Sequence, residues 1–313
     1  MYIGVDLGGT NIAAGIVNDS GEIMLEMSIP TLSERAADAI IDDIKSLILN
    51  LIKEFGLSKN EIKGIGIGIP GLADADGNVI HCVNLGWNDV PLTSKLKQEF
   101  DVPVFVDNDA TVAALAENFC GAMRGAESGV LLTLGTGIGG GIVFGGKVYS
   151  GFNRVGSEIG HMVIGDNFYD CNCGKNGCLE TFASSTAIIK YTKKLLEETN
   201  EESLIRDKIN GDMGKLNAKI IFDCAKAGDS LAEKSVRRLV KYLAIGIENV
   251  ISLIDPQVIA IGGGVSNAGQ YLLDMVIKEV EKYKNYKELP IGKIVIAKLG
   301  NKAGIIGAAM LCK

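Results

Sequence analysis

Chemistry is concentrated between Ser157 and Glu180, in the run SEIGHMVIGDNFYDCNCGKNGCLE. His161 is one of only two histidines in the chain, and Cys171, Cys173 and Cys178 are three of its seven cysteines. Three thiols and an imidazole form the ligand set of a closed tetrahedral zinc site, each thiolate and the neutral ring donating one lone pair. Gly174 and Gly177 permit the tight turns such a knuckle needs. The single residue between Cys171 and Cys173 is a tighter gap than zinc fingers use, and the plain alternative is a group of buried thiols. Glu158 and Glu180 stand near the two ends of the run as further carboxylates.

A second group of residues has the chemistry of phosphate binding. Asp6, Gly8, Gly9, Thr10 and Asn11 form a turn within YIGVDLGGTNIAAGIV. Glycine there lets main-chain N–H groups approach a phosphate, and the carboxylate can hold Mg2+ directly or through water. A hairpin with permissive glycines is the competing explanation. The same order of strand, Gly-Thr turn and strand returns in VLLTLGTGIGGGIVFGGKV, residues 130–148, with Thr136 and Gly137 in the turn. Two such units suggest duplicated halves facing one nucleotide, and the absence of Gly-x4-Gly-Lys-Ser/Thr excludes a Walker A loop. A third glycine turn, Gly262, Gly263 and Gly264, follows the strand-like VIAI. A helix starting at Ser266 or Asn267 could take a phosphate at its N-terminus, while bare glycine backbone faces a purine.

Asp107-Asn108-Asp109 closes an apolar strand, just before an Ala-rich helix, at the edge where α/β folds bind ligands. Asp109 reads either as a site residue or as that helix's N-cap. Asn108 offers a donor and an acceptor, which suits a hydroxyl-rich ligand.

These residues need strands and helices to hold them. Apolar residues at 40, 41, 44, 47, 48, 51, 52 and 55 recur at helical spacing, with Gly56 as a stop. In GIGIGIPG, residues 64–71, glycine alternates with isoleucine, so one strand face is packed and the other is stripped. That pattern fits close helix-on-strand packing, and Pro70-Gly71 could also expose backbone to a ligand. Helices are expected over 183–198 and over 217–227, the second between Asn217 and Gly228. A long amphipathic helix carries Leu231, Leu239, Leu243, Ile247, Val250 and Ile254, and Pro256 stops it near Asp255. A strand over 293–300 and a helix over 301–311 complete the series, and Trp87 reads as a core residue or a domain-edge anchor rather than a ligand platform.

The chain has 313 residues, room for two domains with substantial cores. A net charge of -7 argues against a nucleic-acid surface, which would need a basic stripe. Glycine or charge interrupts the apolar runs before the ~18 residues of a membrane span, and no cleavable leader pattern opens the sequence, so the expected location is cytoplasmic. An odd cysteine number with clustered spacing fits reduced thiols and metal rather than a disulfide framework.

Taken together, DLGGT, DND, the Gly-Thr-Gly turn, GHMVIGDNFYDCNCGKNGCLE, the late GGG and AGIIGAA resemble the ROK family of the sugar-kinase, heat-shock-protein-70 and actin superfamily. The resemblance covers nearly the whole chain. It implies an α/β fold of two actin-like, ribonuclease H-like domains with an interdomain cleft. The expected domains are residues 1–113 with 299–313, and residues 114–298. It implies ATP-dependent phosphorylation of a hexose, with the 6-hydroxyl of glucose as the leading substrate group. On that basis Asp109 is the catalytic base, and Gly71, Asn108, Glu158, His161 and Glu180 grip the sugar. Asp6, Gly8, Gly9 and Thr10, with Thr136 and Gly137, would face the phosphates and Mg2+, and Gly262 to Gly264 the adenosine. His161, Cys171, Cys173 and Cys178 would hold structural Zn2+. One departure is Ser157, which stands where the family favours glycine. The alternatives are N-acetylmannosamine kinase, fructokinase or another hexose kinase of the scaffold, and a non-catalytic sugar-responsive regulator. Repressors of the family carry a DNA-binding domain ahead of the kinase-like part, whereas here Asp6 lies six residues from the start, so the regulator is the less expected reading. A homodimer or homotetramer is the implied assembly.

Overall fold

Tyr2–Leu7 (β1) and Asn11–Val17 (β2) bury most of their side chains and pair antiparallel across the Gly8–Thr10 turn. The structure, a computed structural model, describes all residues from Met1 to Lys313. Ile23–Pro30 (β3) alternates between half-buried and exposed residues, as an edge strand does. Helix α1, Ala37–Phe55, follows the apolar periodicity and ends at Gly56, whose φ of 77° is the left-handed C-cap. Next come β4 (Ile65–Ile69), a small antiparallel sheet of β5 (Leu72–Ala73), β6 (Val79–Cys82) and β7 (Trp87–Val90), and the short helix α2 (Leu92–Lys97). Trp87 is buried in the core, the first of the two places expected for it. Then β8 (Val104–Asn108) runs directly into α3 (Asp109–Phe119).

The second half repeats the plan. Strands β9 (Ser128–Leu134), β10 (Ile138–Phe144) and β11 (Lys147–Val148) are followed by α4 (Glu180–Ala183) and α5 (Ser185–Glu198). The helix expected over 183–198 is thus interrupted at Ser184, which takes an extended backbone and caps α5 by accepting from the Ala187 N–H at 3.1 Å. Helices α6 (Leu204–Ile209), α7 (Ala218–Lys226) and α8 (Ser230–Ile254) come next, α7 capped by Asn217 and α8 ended by Asp255 ahead of Pro256. Strand β12 (Val258–Gly262), helix α9 (Gln270–Tyr283), strand β13 (Lys293–Ile296) and helix α10 (Lys302–Met310) complete the chain. The helix expected from Ser266 or Asn267 begins instead at Gln270. Gly264–Ala268 winds as a 3-10 turn, and Gly269, at φ 67° and ψ -140°, breaks it from α9. The last strand is shorter than expected, ending at Ile296.

Both five-stranded sheets have one topology. Their orders, β3-β2-β1-β4-β8 and β11-β10-β9-β12-β13, each place the third, second, first, fourth and fifth main strands side by side. Duplicated halves, inferred from two Gly-Thr turns, are therefore present in the strand order. Contacts divide the chain into one unit of Met1–Leu131, Gly141–Ser157 and Ala297–Lys313, and another of Leu132–Gly140 and Glu158–Ile296. The expected cut at 113/114 would run through α3, a single unbroken helix that contacts keep whole in the first unit.

Within the first unit, one sheet face packs against α1 in a core of Ile3, Val5, Ile44, Ile48, Ile65 and Ile67. The opposite side packs α10 onto bare backbone. A Cβ on Gly4 would overlap the carbonyl oxygen of Ile305, and one on Gly66 that of Ala308. Helix-on-strand packing therefore explains the stripped face of GIGIGI. In the second unit, Leu239, Leu243, Ile247 and Val250 form the buried stripe of α8.

Candidate active site and metal centre

The first unit brings its site residues to the carboxyl ends of three parallel strands. Register pairs Asp6 with Gly68, and Gly68 with Asp107, so β1, β4 and β8 finish side by side. Asp6 is half-buried beside α10, where a Cβ on Gly304 would collide with its carboxylate. Burial pushes the Asp6 carboxyl above its ordinary value of 3.8. The following turn is fastened from behind. Gly8 N–H donates to Asn11 O at 2.9 Å, Thr31 Oγ1 to Gly8 O at 2.7 Å, and Thr31 N–H to Thr10 O at 2.8 Å. Thr31 is fully buried, and nothing in its own neighbourhood of sequence marked it. Thr10 and Asn11 are exposed at the turn.

Asn108, not Asp109, is the N-cap of α3. Its Oδ1 accepts from the N–H groups of Ala110 at 2.9 Å and Thr111 at 3.2 Å. Its Nδ2 donates to Gly71 O at 3.3 Å, so two residues assigned to one sugar are neighbours. Gly71 must be glycine, because a Cβ would lie 2.5 Å from His81 O. Asp109 is the first residue of α3, with Oδ1 accepting from the Ala110 N–H at 2.7 Å. A carboxylate in the first turn of a helix is favoured as the anion.

Asp107 was passed over in the sequence, yet it is the buried member of the DND run. Its Oδ1 accepts the Asn108 N–H at 2.8 Å, and its Oδ2 accepts from Arg154 Nη2 at 2.6 Å and Ser150 Oγ at 3.1 Å.

In the second unit, Gly137, Gly160 and Glu180 meet at the start of β10. A Cβ on Gly160 would overlap Ile138 O, and one on Gly137 would overlap Glu180 Oε2. The Gly-Thr-Gly turn thus touches the carboxylate of Glu180, which also accepts the Ile138 N–H at 3.4 Å. At the end of β12, Gly263 has φ 79°, and a Cβ there would lie 2.6 Å from Leu134 N, so the GGG turn seats against the end of β9.

The knuckle closes as the glycines require. Gly174 and Gly177 have φ of 86° and 85°, and Gly174 N–H donates to Cys171 O at 3.0 Å. One ligand atom each from His161, Cys171, Cys173 and Cys178 falls within 4.8 Å of all the others. Cys173 and Cys178 Sγ are 3.5 Å apart, and Cys171 Sγ is 3.6 Å from His161 Nδ1. Two thiolates at about 2.3 Å from a tetrahedral zinc would stand roughly 3.8 Å apart, so the donor set fits the ion. Burial, then the hydrogen bond to Glu180 Oε1 at 2.9 Å, pushes the Cys171 thiol up, and burial raises Cys178. Cys173 is lowered, first by the Lys175 backbone N–H. His161 Nε2, away from the sulfurs, lies 3.9 Å from Glu158 Oε2.

A further cation holds the knuckle from outside. The Arg238 guanidinium lies 4.5 Å from the Tyr191 ring centroid and 4.8 Å from that of Phe182, and donates to Asn167 Oδ1 at 2.8 Å. Asn167 Nδ2 donates in turn to Thr181 O at 2.7 Å, next to Glu180.

The model of the ROK family matches residues 2–313. The glucokinase of Halalkalibacterium halodurans is 41% identical over 100% of this chain and 94% of its own. The glucokinase of Thermotoga maritima is 37% identical over 99% of this chain and 96% of its own. Among solved structures, a ROK family glucokinase from Streptomyces griseus in complex with glucose and AMPPNP has a TM-score of 0.82 and 35% identity, covering 99% of this chain and 98% of that one.

Proposed function

The chain belongs to the ROK family, and from that premise we propose that it is an ATP-dependent glucokinase, forming glucose 6-phosphate and ADP. The full-length likeness to glucokinases supports the substrate. The single observation that supports the chemistry is the end of β8, where Asn108 caps α3 and Asp109 opens that helix at the carboxyl edge of the sheet.

In this reading Asp109 accepts the proton of the sugar 6-hydroxyl as that oxygen bonds to the γ-phosphorus and ADP departs. Asn108, Gly71, Glu158, His161 and Glu180 hold the other hydroxyls. The turns at Gly8–Thr10 and Thr136–Gly137 offer N–H groups to the phosphates, and Gly262–Gly264 offers flat backbone to the adenosine. Positioning and charge stabilisation supply most of phosphoryl transfer, which suits a site of glycine turns and one base. Bound near Asp6, Mg2+ would neutralise charge on the phosphates. His161, Cys171, Cys173 and Cys178 would hold Zn2+ as a closed structural site, through His161 Nδ1, leaving Nε2 for a hydroxyl.

Coupled measurement of ADP release across glucose, mannose, fructose, N-acetylmannosamine and N-acetylglucosamine tests this reading. Glucose should give the highest kcat/KM. A different best hexose would move the assignment within the family, and no hexose-dependent release would remove it. The reading includes a homodimer or homotetramer, which sedimentation of the purified protein checks.

A further inference from the structure

The loop Tyr149–Ser157 closes on itself. Gly156 N–H donates to Ser150 O at 2.7 Å, Arg154 N–H to Gly151 O at 3.3 Å, and Ser157 Oγ to Tyr149 O at 3.0 Å. Two of its non-glycine residues, Arg154 at φ 59° and Ser157 at φ 71°, hold the left-handed conformation that L side chains seldom adopt. Glycine would suit the backbone at 154 better, so the arginine side chain must do something that outweighs the strain.

That side chain reaches out of the loop to Asp107, donating through Nη2 at 2.6 Å to an oxygen that also accepts from Ser150 Oγ at 3.1 Å. The Asp107 side chain is only 6% exposed, and burying a carboxylate is costly unless a cation is paired with it. Its second oxygen accepts the Asn108 N–H. The guanidinium therefore fixes Asp107, Asp107 fixes the peptide of Asn108, and Asp109 follows at once. On its other side the loop runs straight from Ser157 into Glu158.

We propose that Arg154 is a positioning residue for hexose phosphorylation, clamping the loop ahead of Glu158 to Asp107 and thereby orienting Asn108 and Asp109. The inference rests on the kinase reading above, and touches the sugar rather than the nucleotide. Lysine, a compact ammonium on a flexible stem, would hold Asp107 less rigidly than the guanidinium that donates through Nη2, and a displacement of about 1 Å in such a site can cost roughly a hundredfold in rate.

The test compares wild type, Arg154→Gly, Arg154→Lys and the double variant Asp107→Asn/Arg154→Gly in steady-state kinetics and thermal melts. Arg154→Gly relieves the backbone but strands the Asp107 charge, so its Tm falls; the double variant removes that charge, and its Tm returns to within a few degrees of wild type. Glucose kcat/KM should drop about tenfold or more in both, with KM for ATP within about twofold of wild type. Arg154→Lys, which keeps the charge, should lose at least threefold. Recovery of glucose kcat/KM in the double variant along with its Tm would reduce Arg154 to a stabilising role and overturn the proposal, as would wild-type kinetics in Arg154→Lys. Absence of hexose-dependent ADP release in the wild type itself would instead bring down the kinase reading, and this one with it.

Discussion

Asp109 and Asp6 are both carboxylates at strand ends, yet their surroundings differ. Asp109 opens a helix at the end of β8 and is the proposed base. Asp109→Asn should lower kcat by about 10^2 to 10^4-fold while glucose binding by calorimetry stays within about threefold; near-normal kcat would exclude the base assignment. Asp6 carries a burial cost instead. Its raised pKa means the folded chain binds more protons than the unfolded one above the ordinary 3.8, so stability falls as pH climbs through that window and the penalty is complete above the folded pKa. Asp6→Asn should therefore raise Tm at neutral pH and flatten the fall of Tm with pH above 3.8, while abolishing Mg2+-dependent turnover. An unchanged pH profile of Tm would show that the burial is not felt. At this scale the sequence was legible where chemistry is local. Ser157, singled out for standing where glycine is favoured, does take a left-handed backbone, and the four metal-ligand candidates do meet. It was illegible where a partner is remote in sequence, since nothing around Arg154 or Thr31 announces Asp107 or Gly8.

Elements were read well where one periodicity decided them. The apolar spacing of α1 and its Gly56 stop follow from a helix lying on a sheet, and Asp255 ends α8 where Pro256 forbids its continuation. Where two packings compete, local pattern failed. The GGG turn leads into a 3-10 segment rather than a helix, because Gly263 is pressed against Leu134 and Gly269 takes a conformation no helix contains. The knuckle depends on both kinds of information: glycine and cysteine spacing define the loop, while Arg238 on α8 and its aromatic neighbours hold it from a distance. Its closure also sets Glu180 beside Cys171 and Gly137. Cys178→Ser should consequently lose bound zinc by elemental analysis, melt lower by several degrees and raise glucose KM at least fivefold, with a smaller effect on ATP. Chelator treatment of the wild type should reproduce the same three changes, and protein purified free of zinc with full sugar affinity would contradict the design.

For the whole molecule, one strand order recurs in both five-stranded sheets. A sugar that binds only the folded chain stabilises it by mass action. At a hundred times its Kd, glucose should add about 2.7 kcal/mol, or about 4 °C in Tm for a chain of this size, and a thermal shift with glucose but not with a non-substrate hexose would confirm selective binding. No helix is long and apolar enough to cross a membrane. Finally, α10 fills the bare-backbone face left by Gly4 and Gly66, yet it lies at Lys302–Met310, far downstream of the strands it covers. During synthesis the first sheet, finished at Asn108, must stand with that glycine groove open until the helix emerges. At roughly 5–20 residues per second the wait is about 10–40 s. The first unit begun is thus among the last completed, and the nascent chain presents an uncovered sheet to chaperones for most of its time on the ribosome.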